Sequence, residues 1–439
     1  APDEREYTCP DHEGVAGVLD VRYGDGDRDG NGNEERERDE DVDGDPHSIP
    51  AVTDGCVDDV WDFAPLLPVE SDRGPGTGNG GGDGNGTGEG PVGLGAGGTS
   101  LLEAPALSDR LGVETLVKDE TGNPTGSNKD RASAVLATRA RERDYGVVTC
   151  ASTGNAAASL AGYAARAGLD CRIFVPSDVP DAKAVQPRLY GAAVLAVDGS
   201  YGDAYELCRT VASERGWYNC NAGMNPYALE GMRTLGFELA LGAPDADWVA
   251  MPMGNGCSLA AVWKGLREFD RFGHLDGTPR LLGVQAAGTA PIYERFVADA
   301  PDGGRERDAP TTTDGGRSPE TDPDAETTAD SIDVREPHNA ERACRALRES
   351  GGDAVAVPDG AIVDAQALLG ESEGLFVEPA SAAAVAGVRA ARRNGPIEAD
   401  DRVVVVATGT GLKDVDAAAG SVGEPVGVGT DPADVPENH

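Results

Sequence analysis

The sequence predicts an α/β protein built on open, doubly wound parallel sheets, and three observations carry that expectation. Short runs rich in valine, isoleucine and small residues recur along the chain, and stretches of helical period separate them. Strand and helix in turn is the signature of a parallel sheet with helices on both faces. The helical units are uneven and the glycine-rich turns few and specialised, which favours an open sheet over a closed barrel.

Taken in order, the apolar runs are VVTCAS (147–152), CRIFVP (171–176), AVLAV (193–197), DWVAMPM (247–253), RLLGVQA (280–286), AVAVP (354–358) and RVVVVATG (402–409). Between them lie the helical stretches KDRASAVLATRARERD, NAAASLAGYAARAG, DAYELCRTVASER, PYALEGMRTLGFELALG, LAAVWKGLREFDRF and SAAAVAGVRAARRNG. With 39% apolar residues and only 5% aromatic ones, the core is expected to consist of alanine, valine and leucine. Residues 1–72 read as an N-terminal lead, 73–96 as a glycine-rich linker, 97–420 as the α/β region and 421–439 as a tail. Within the α/β region a smaller domain is expected around 145–240. Segments 21–48, 73–92 and 299–330, the last an acidic insertion, lack the apolar surface that offsets ordering entropy and are expected to be disordered.

A formal charge of −40 argues against nucleic acid or an anionic membrane as partner, because phosphates are repelled over the whole surface. The sequence has 37 basic residues, of which only Lys118, Lys129, Lys183, Lys264 and Lys413 are lysines. Such acidity with so little lysine resembles proteins of salt-loving organisms; acidic disordered segments account for part of the charge but not for the scarcity of lysine. No leader-like segment and no apolar run near ~18 residues is seen, so a cytoplasmic protein that does not span a membrane is expected. Eight cysteines without CxxC spacing read as reduced thiols, with no metal site and no disulfide framework.

Four places carry candidate chemistry. GNGCS, with Gly254, Asn255, Gly256, Cys257 and Ser258, follows an apolar run and opens a helix. Such a turn exposes backbone N–H groups and the positive end of a helix dipole, a cradle for a phosphate that needs no cation. A plain strand-to-helix turn accounts for the same residues. CASTGNAAAS repeats the design: Ser152, Thr153, Gly154 and Asn155 place hydroxyls and an amide at a helix mouth, suited to a carboxylate or a ring oxygen, and an N-capping turn is the plainer reading. Thr408, in TGTGLKD, stands at the end of the most apolar run, where open α/β sheets hold ligands; a polar strand end is the alternative. Lys129, in PTGSNKDR, precedes a long helix, and by default a lysine is a solvated surface residue. The histidines at 12, 47, 274, 338 and 439 fall mostly in tails or loops and leave a histidine-based triad little to work with. Lysine forms a Schiff base with a carbonyl, and the cofactor that has both an aldehyde and a phosphate is pyridoxal 5′-phosphate.

NPTGSNKDR, CASTGNAAASLAGYAARAG, NPYALEGMRT, MGNGCSLAAVWKG, EGLFVEPASAAAVAG (373–387) and TGTGLKD together resemble, in order and approximate spacing, the threonine synthase family of tryptophan synthase β-like (fold type II) pyridoxal-phosphate enzymes. The resemblance spans roughly residues 97–415 and implies two doubly wound α/β domains with the cofactor in the cleft. YTCPDHEGVAGVLDVRY (7–23) is similar to the family's N-terminal lead, a zinc ribbon in some members; with one cysteine there, no metal is expected. By position, the resemblance implies Lys129 as the lysine linked to the cofactor, Asn155 at the pyridoxal 3′-oxygen, and Ser152 and Thr153 near the substrate carboxylate. It also implies residues 254–258 at the cofactor phosphate and Thr408 at the pyridine nitrogen. A homodimer is common in the family.

The departures are specific. Asn128 stands where the family has an aromatic residue, Cys257 where a second glycine is usual, and Thr410 where a histidine is common. Ala228 replaces an arginine, and Ala222 and Gly223 replace an Asn-Ser pair. The resemblance implies that these last three positions grip the phosphate of O-phosphohomoserine, a contact this chain lacks. By family the expected activity is threonine synthase, conversion of O-phosphohomoserine to threonine and phosphate. The alternatives are a threonine/serine dehydratase-like or other β-replacement enzyme that does not use phosphohomoserine, and a non-catalytic protein that binds the cofactor.

Overall fold

The computed structural model describes residues 57–70, 90–299 and 327–419, with a few isolated positions beyond. The segment 21–48 and the 7–23 lead therefore lie outside the described residues.

Among the described residues ten strands follow in chain order: β1 (Leu101–Glu103), β2 (Glu114–Asp119), β3 (Val147–Ala151), β4 (Asp170–Pro176), β5 (Ala193–Val197), β6 (Tyr218–Asn219), β7 (Trp248–Pro252), β8 (Arg280–Ala286), β9 (Asp353–Val357) and β10 (Arg402–Ala407). They form a six-stranded sheet in the order β1-β2-β10-β7-β8-β9 and a four-stranded sheet in the order β5-β4-β3-β6. Of these strand pairs only β1–β2 is antiparallel. Strand β10 explains why RVVVVA reads as an unbroken apolar run. It lies between β2 and β7, and Val403, Val404, Val405 and Val406 are all fully buried. A central parallel strand is covered on both faces, so alternation disappears.

The seven apolar runs all contain strands, within two residues of the expected ends. Three strands escape the sequence pattern: β1 is three residues long, β6 two, and β2 (ETLVKD) carries charges at both ends. The stretch PYALEGMRTLGFELALG is two helices, Tyr227–Met232 and Thr234–Gly242, that break at Arg233. Gly265 approaches this break so closely that a Cβ there would collide with the Arg233 carbonyl oxygen.

Three boundaries are sharpened by the structure. Residues 57–70, at the end of the N-terminal lead, pack into the fold: Phe63 is buried and lies edge-on against Phe237, 5.1 Å between ring centroids, and Val60 N–H donates to the Ala96 carbonyl. The 299–330 insertion ends earlier than its composition suggests. Ala329 is fully buried, the Thr327 hydroxyl donates to Asp359 at 2.6 Å, and Lys183 pairs with Asp330 at 2.8 Å. Likewise Val92, at the end of the glycine-rich 73–92 segment, is buried, and its N–H donates to the Thr138 hydroxyl at 2.9 Å.

The helix Lys129–Glu142 is locked to the six-stranded sheet by a buried charge cluster. Arg131, fully buried, spans Glu120 (2.7 Å from both Nε and Nη2) and Glu238 (2.5 Å from Nη1). Lys118 on β2 completes the group with a 2.7 Å contact to Glu238 and a 2.6 Å bond to the Thr99 carbonyl. Burial alone raises a carboxyl pKa, but the Arg131 guanidinium overrides it, and Glu120 and Glu238 are both held below the ordinary glutamate range.

Removing one member of such a cluster leaves a buried charge without its partner, so Arg131→Met should lower unfolding free energy by about 3–5 kcal/mol. Urea denaturation followed by circular dichroism measures this, and a loss under about 1 kcal/mol contradicts the anchoring role. Because the folded-state pKa values are depressed, the carboxylates' contribution is complete above the unfolded glutamate pKa and disappears as pH falls below it through the folded value. Glu238→Gln should flatten the acid limb of melting temperature against pH; an unchanged slope counts against the assignment.

Candidate functional site

Strands β3, β7 and β10 deliver the expected loops from their carboxyl ends, where open α/β sheets hold ligands. Four helices begin around the same space: Lys129–Glu142, Asn155–Ala167, Cys257–Arg271 and Pro379–Asn394. The polypeptide after β10 stitches them together. Asn128 N–H donates to the Thr408 carbonyl at 2.9 Å, Thr410 N–H to the Gly126 carbonyl at 3.0 Å, and Glu378 N–H to the Gly409 carbonyl at 3.0 Å. Each helix start adds the positive end of its dipole and free N–H groups, so the space favours an anion although the chain is strongly acidic.

Lys129 sits at the first position of its helix. Its Nζ donates to Asn128 Oδ1 at 3.0 Å and lies 3.3 Å from Ser258 Oγ, which joins the lysine to the 254–258 turn. Burial pushes the ammonium pKa down, and the charges of Cys257, Glu378 and Glu120 only partly oppose it. The helix start itself is fixed by Asp130, which accepts from the Thr125 N–H at 2.6 Å and the Thr125 hydroxyl at 2.5 Å. Two buried polar atoms beside the lysine, Ser127 Oγ and Asn128 Nδ2, have no hydrogen-bond partner among the described residues. Buried polar groups are usually hydrogen-bonded, so two such atoms next to the lysine are candidates to meet a water, an ion or a ligand.

Gly256 has φ +81° and precedes the Cys257–Arg271 helix. A Cβ there would stand 2.8 Å from Ala343 Cβ, so only glycine lets the turn close against the helix Ala340–Glu349. Asn255 faces away from Lys129's hydrogen bonds: its Oδ1 accepts from His338 N–H at 3.1 Å and its carbonyl from Asn339 N–H at 3.1 Å. Cys257 Sγ is 2.8 Å from Asn339 Nδ2, and burial pushes its thiol pKa up.

Asn155 and Thr408 meet at a carboxylate that sequence reasoning did not single out. Glu378, buried, accepts with both of its oxygens from Asn155 Nδ2, at 2.8 and 3.1 Å, and from Ser331 Oγ at 3.1 Å. Thr408 Oγ1 lies 3.5 Å away and shares a 2.9 Å hydrogen bond with Ser381 Oγ. Lys413 Nζ donates to Asn155 Oδ1 at 2.9 Å, which fixes the orientation of that amide. Burial raises the Glu378 pKa, against the Asn155 hydrogen bond and the Lys413 charge, and lowers that of Lys413, against the charge of Glu378. Both residues were within reach of sequence reasoning. Glu378 opens the helix in EPASAAAVAG, and Lys413 is one of five lysines.

Ser152 and Thr153 follow β3 and line a small cleft with Ala157, Val179 and Lys183. The Ser152 hydroxyl accepts from Gly154 N–H at 3.3 Å, so the capping geometry and the ligand geometry share one loop. His338, in the turn before the helix Ala340–Glu349, stacks on Tyr205, 4.3 Å between centroids, beside Gly223. Gly223 has φ +85°, and a Cβ there would collide with that of His338. Ala228 is half-buried against the core of the four-stranded sheet.

Residues 92–409 match the family described as pyridoxal-phosphate dependent enzyme. The chain is 40% identical to the threonine synthase of Methanocaldococcus jannaschii over 376 residues, 85% of each chain. It is 40% identical to the threonine synthase of Methanosarcina acetivorans over 359 residues, 81% of this chain and 80% of that one. Among solved structures, the processed threonine deaminase isoform 2 of Solanum lycopersicum aligns with a TM-score of 0.59 at 21% identity, covering 74% of this chain and 86% of that one. A maize serine racemase aligns with a TM-score of 0.58 at 20% identity, covering 71% of this chain and 88% of that one. The two sheets, the helix starts gathered at their carboxyl ends and these likenesses place the chain among the fold type II pyridoxal-phosphate-dependent enzymes, in the threonine synthase and tryptophan synthase β-like family.

Proposed function

We propose that this enzyme, a pyridoxal-phosphate-dependent lyase acting on an amino acid, eliminates or replaces a group at Cβ or Cγ of a substrate that carries no phosphate. Pyridoxal phosphate, when bound, supplies the carbonyl for covalent attachment and an electron sink for bonds at the substrate's α-carbon. The residues present fit that group. A half-buried lysine whose ammonium pKa is lowered by burial follows two residues with buried, unpartnered polar atoms, and Ser258 of the glycine turn at a helix start lies 3.3 Å from its Nζ.

In this reading Lys129 would attach the cofactor and afterwards take the α-proton, and burial, which lowers its ammonium pKa from the ordinary lysine value, favours that role. Asn155, held by Glu378 and Lys413, would stand at the ring oxygen. Thr408 would meet the ring nitrogen, and a hydroxyl partner leaves that nitrogen less fully charged than a carboxylate would, which suits elimination and replacement. Residues 254–258 would hold the phosphate, and Ser152 and Thr153 the substrate carboxylate.

The substrate assignment rests on the residues at the three positions that the family resemblance gives to the phosphate grip. Ala222, Gly223 and Ala228 offer no side-chain donor, and His338 takes the space a side chain at 223 would need. The neighbouring cations do not replace them. Lys118 is bound to Glu238, Arg233 to Glu230 (3.1 Å) and Glu268 (2.6 Å), and Lys183 to Asp330. Arg188 stands exposed on its helix.

Threonine synthase is the second reading, and Arg342 favours it. Its Nη1 donates to Asn339 Oδ1 at 3.0 Å, and the amide of that same asparagine meets the Cys257 thiol, so a cation from another segment stands near the lost grip. The relatives named above are threonine synthases.

Incubation with O-phosphohomoserine, homoserine, threonine and serine, following phosphate, ammonia and keto acid, separates the two. Ammonia and keto acid from threonine or serine are expected, with little phosphate release; equimolar phosphate and threonine from O-phosphohomoserine overturns the proposal in favour of the second reading. Ala228→Arg should restore one charge-assisted contact and raise phosphohomoserine affinity roughly tenfold. Unchanged affinity means that Ala228 does not face the substrate. Borohydride reduction of the cofactor-loaded protein and peptide mapping should label Lys129. Label on Lys118 or Lys264 removes the central assignment.

A further inference from the structure

We infer that Asn128 is a cofactor-binding residue whose side-chain Nδ2 donates a hydrogen bond to the cofactor phosphate at the 254–258 turn. The inference rests on the reading that Lys129 is the attachment point and that this turn receives the phosphate.

Asn128 is 1% exposed, and its Nδ2 has no partner among the described residues. A buried amide N–H without an acceptor is costly, and such a group beside a ligand site is where an acceptor is missing. The orientation of the amide is set by its neighbour. Lys129 as an ammonium can only donate, so the oxygen of Asn128 faces it at 3.0 Å and the NH2 forms the opposite end. The backbone cannot carry the side chain elsewhere, because Asn128 N–H is tied to the Thr408 carbonyl at 2.9 Å and its carbonyl accepts from Arg131 N–H at 3.3 Å.

The turn is held from the segment after the insertion: Asn255 Oδ1 accepts from His338 N–H, and Cys257 Sγ accepts from Asn339 Nδ2. Ser258 shares Lys129 Nζ with Asn128. Asn128 therefore belongs to the same hydrogen-bonded group as the turn and adds a buried, unpartnered donor to it. In a chain of charge −40, a neutral amide adds specificity for a phosphate without adding a cation.

The test compares two ligands that differ only in the phosphate. Full-length apoprotein is titrated with pyridoxal phosphate and with pyridoxal, following protein fluorescence, for the wild type, Asn128→Leu and Asn128→Ser. Asn128→Leu should weaken pyridoxal phosphate roughly ten- to a hundredfold, as loss of a hydrogen bond to a charged group does, and leave pyridoxal nearly unchanged. Asn128→Ser retains a donor and should recover part of the loss, which keeps the test decisive if the leucine variant folds poorly. Equal weakening of both ligands overturns the inference, because Asn128 then acts through Lys129 or through packing. Unchanged binding of pyridoxal phosphate overturns it as well. A wild type in which Lys129 takes no label condemns the underlying assignment of the lysine instead, and so distinguishes that failure from this one.

Discussion

The placement of Lys129 depends on Arg131 two residues later. A lysine at the first turn of a helix can act on a ligand only if that helix start is held against the sheet that delivers the other groups. Arg131 does this with bonds of 2.7 Å to Glu120 and 2.5 Å to Glu238, inside a site from which water is excluded. A guanidinium suits the task because its planar fork meets two carboxylates at once and stays charged when buried. One cation between two carboxylates leaves an excess negative charge, and Lys118 neutralises it. The cluster thus ties together β2, the turn after it, the lysine helix and the helix Thr234–Gly242, and Thr99 joins through its hydroxyl and carbonyl.

The scarcity of lysine has a structural counterpart. All five lysines are engaged: Lys118 with Glu238, Lys129 with Asn128, Lys183 with Asp330, Lys264 with Glu230 and Lys413 with Asn155. None is a lone charge in solvent. Where a compact ammonium reaches a single oxygen in a confined space the chain retains lysine, and among the described residues its exposed cations are arginines. Lys413 and Lys129 both lie close to Glu378, so one buried carboxyl stands among two amines whose charge burial disfavours. Burial thus draws the proton affinities of the carboxyl and the two amines closer together than they are in water.

Much of this was legible in the sequence, and the rest was hidden for identifiable reasons. Strands β3–β5 and β7–β10 announce themselves as short apolar runs rich in β-branched and small residues. Strands β1 and β6 are too short to show a period, and β2 mixes charge with its apolar centre because Lys118 is needed inside. The loops at 152–155, 254–258 and 408–410 were legible as glycine, serine and threonine at strand-to-helix junctions. The partners of those loops were not. Glu378 lies 223 residues from Asn155, Lys413 lies 258 from it, and Glu238 lies 107 from Arg131. No local pattern reports contacts of that separation. The insertion boundary was misplaced because Thr327 to Asp330 are polar by composition, yet they pack through one alanine and two side-chain contacts.

The departures from the family pattern fall into two physical classes, and the difference bears on substrate choice. Asn128 changes chemistry in place: the backbone around it is fixed, and only the side chain differs. Gly223 is coupled to another segment. Its positive φ and the position of His338 require each other, since a side chain at 223 and an imidazole at 338 cannot occupy the same volume. His338 is held in turn by stacking on Tyr205, whose hydroxyl donates to the Ala222 carbonyl at 3.1 Å, and by Asn255. A phosphate grip at 222 and 223 therefore cannot be rebuilt by one substitution; the 338–342 segment has to move with it. The same segment brings Arg342 and Asn339 toward the thiol of Cys257. His338, Asn339 and Arg342, from the segment after the acidic insertion, thus stand together against Gly223 and Cys257. Burial disfavours the charged form of the His338 imidazole beside the backbone of Gly223, while Arg342, through Asn339, brings a cation to the same segment, so the chemistry next to Gly223 is set by that segment and not by residues 222 and 223 themselves.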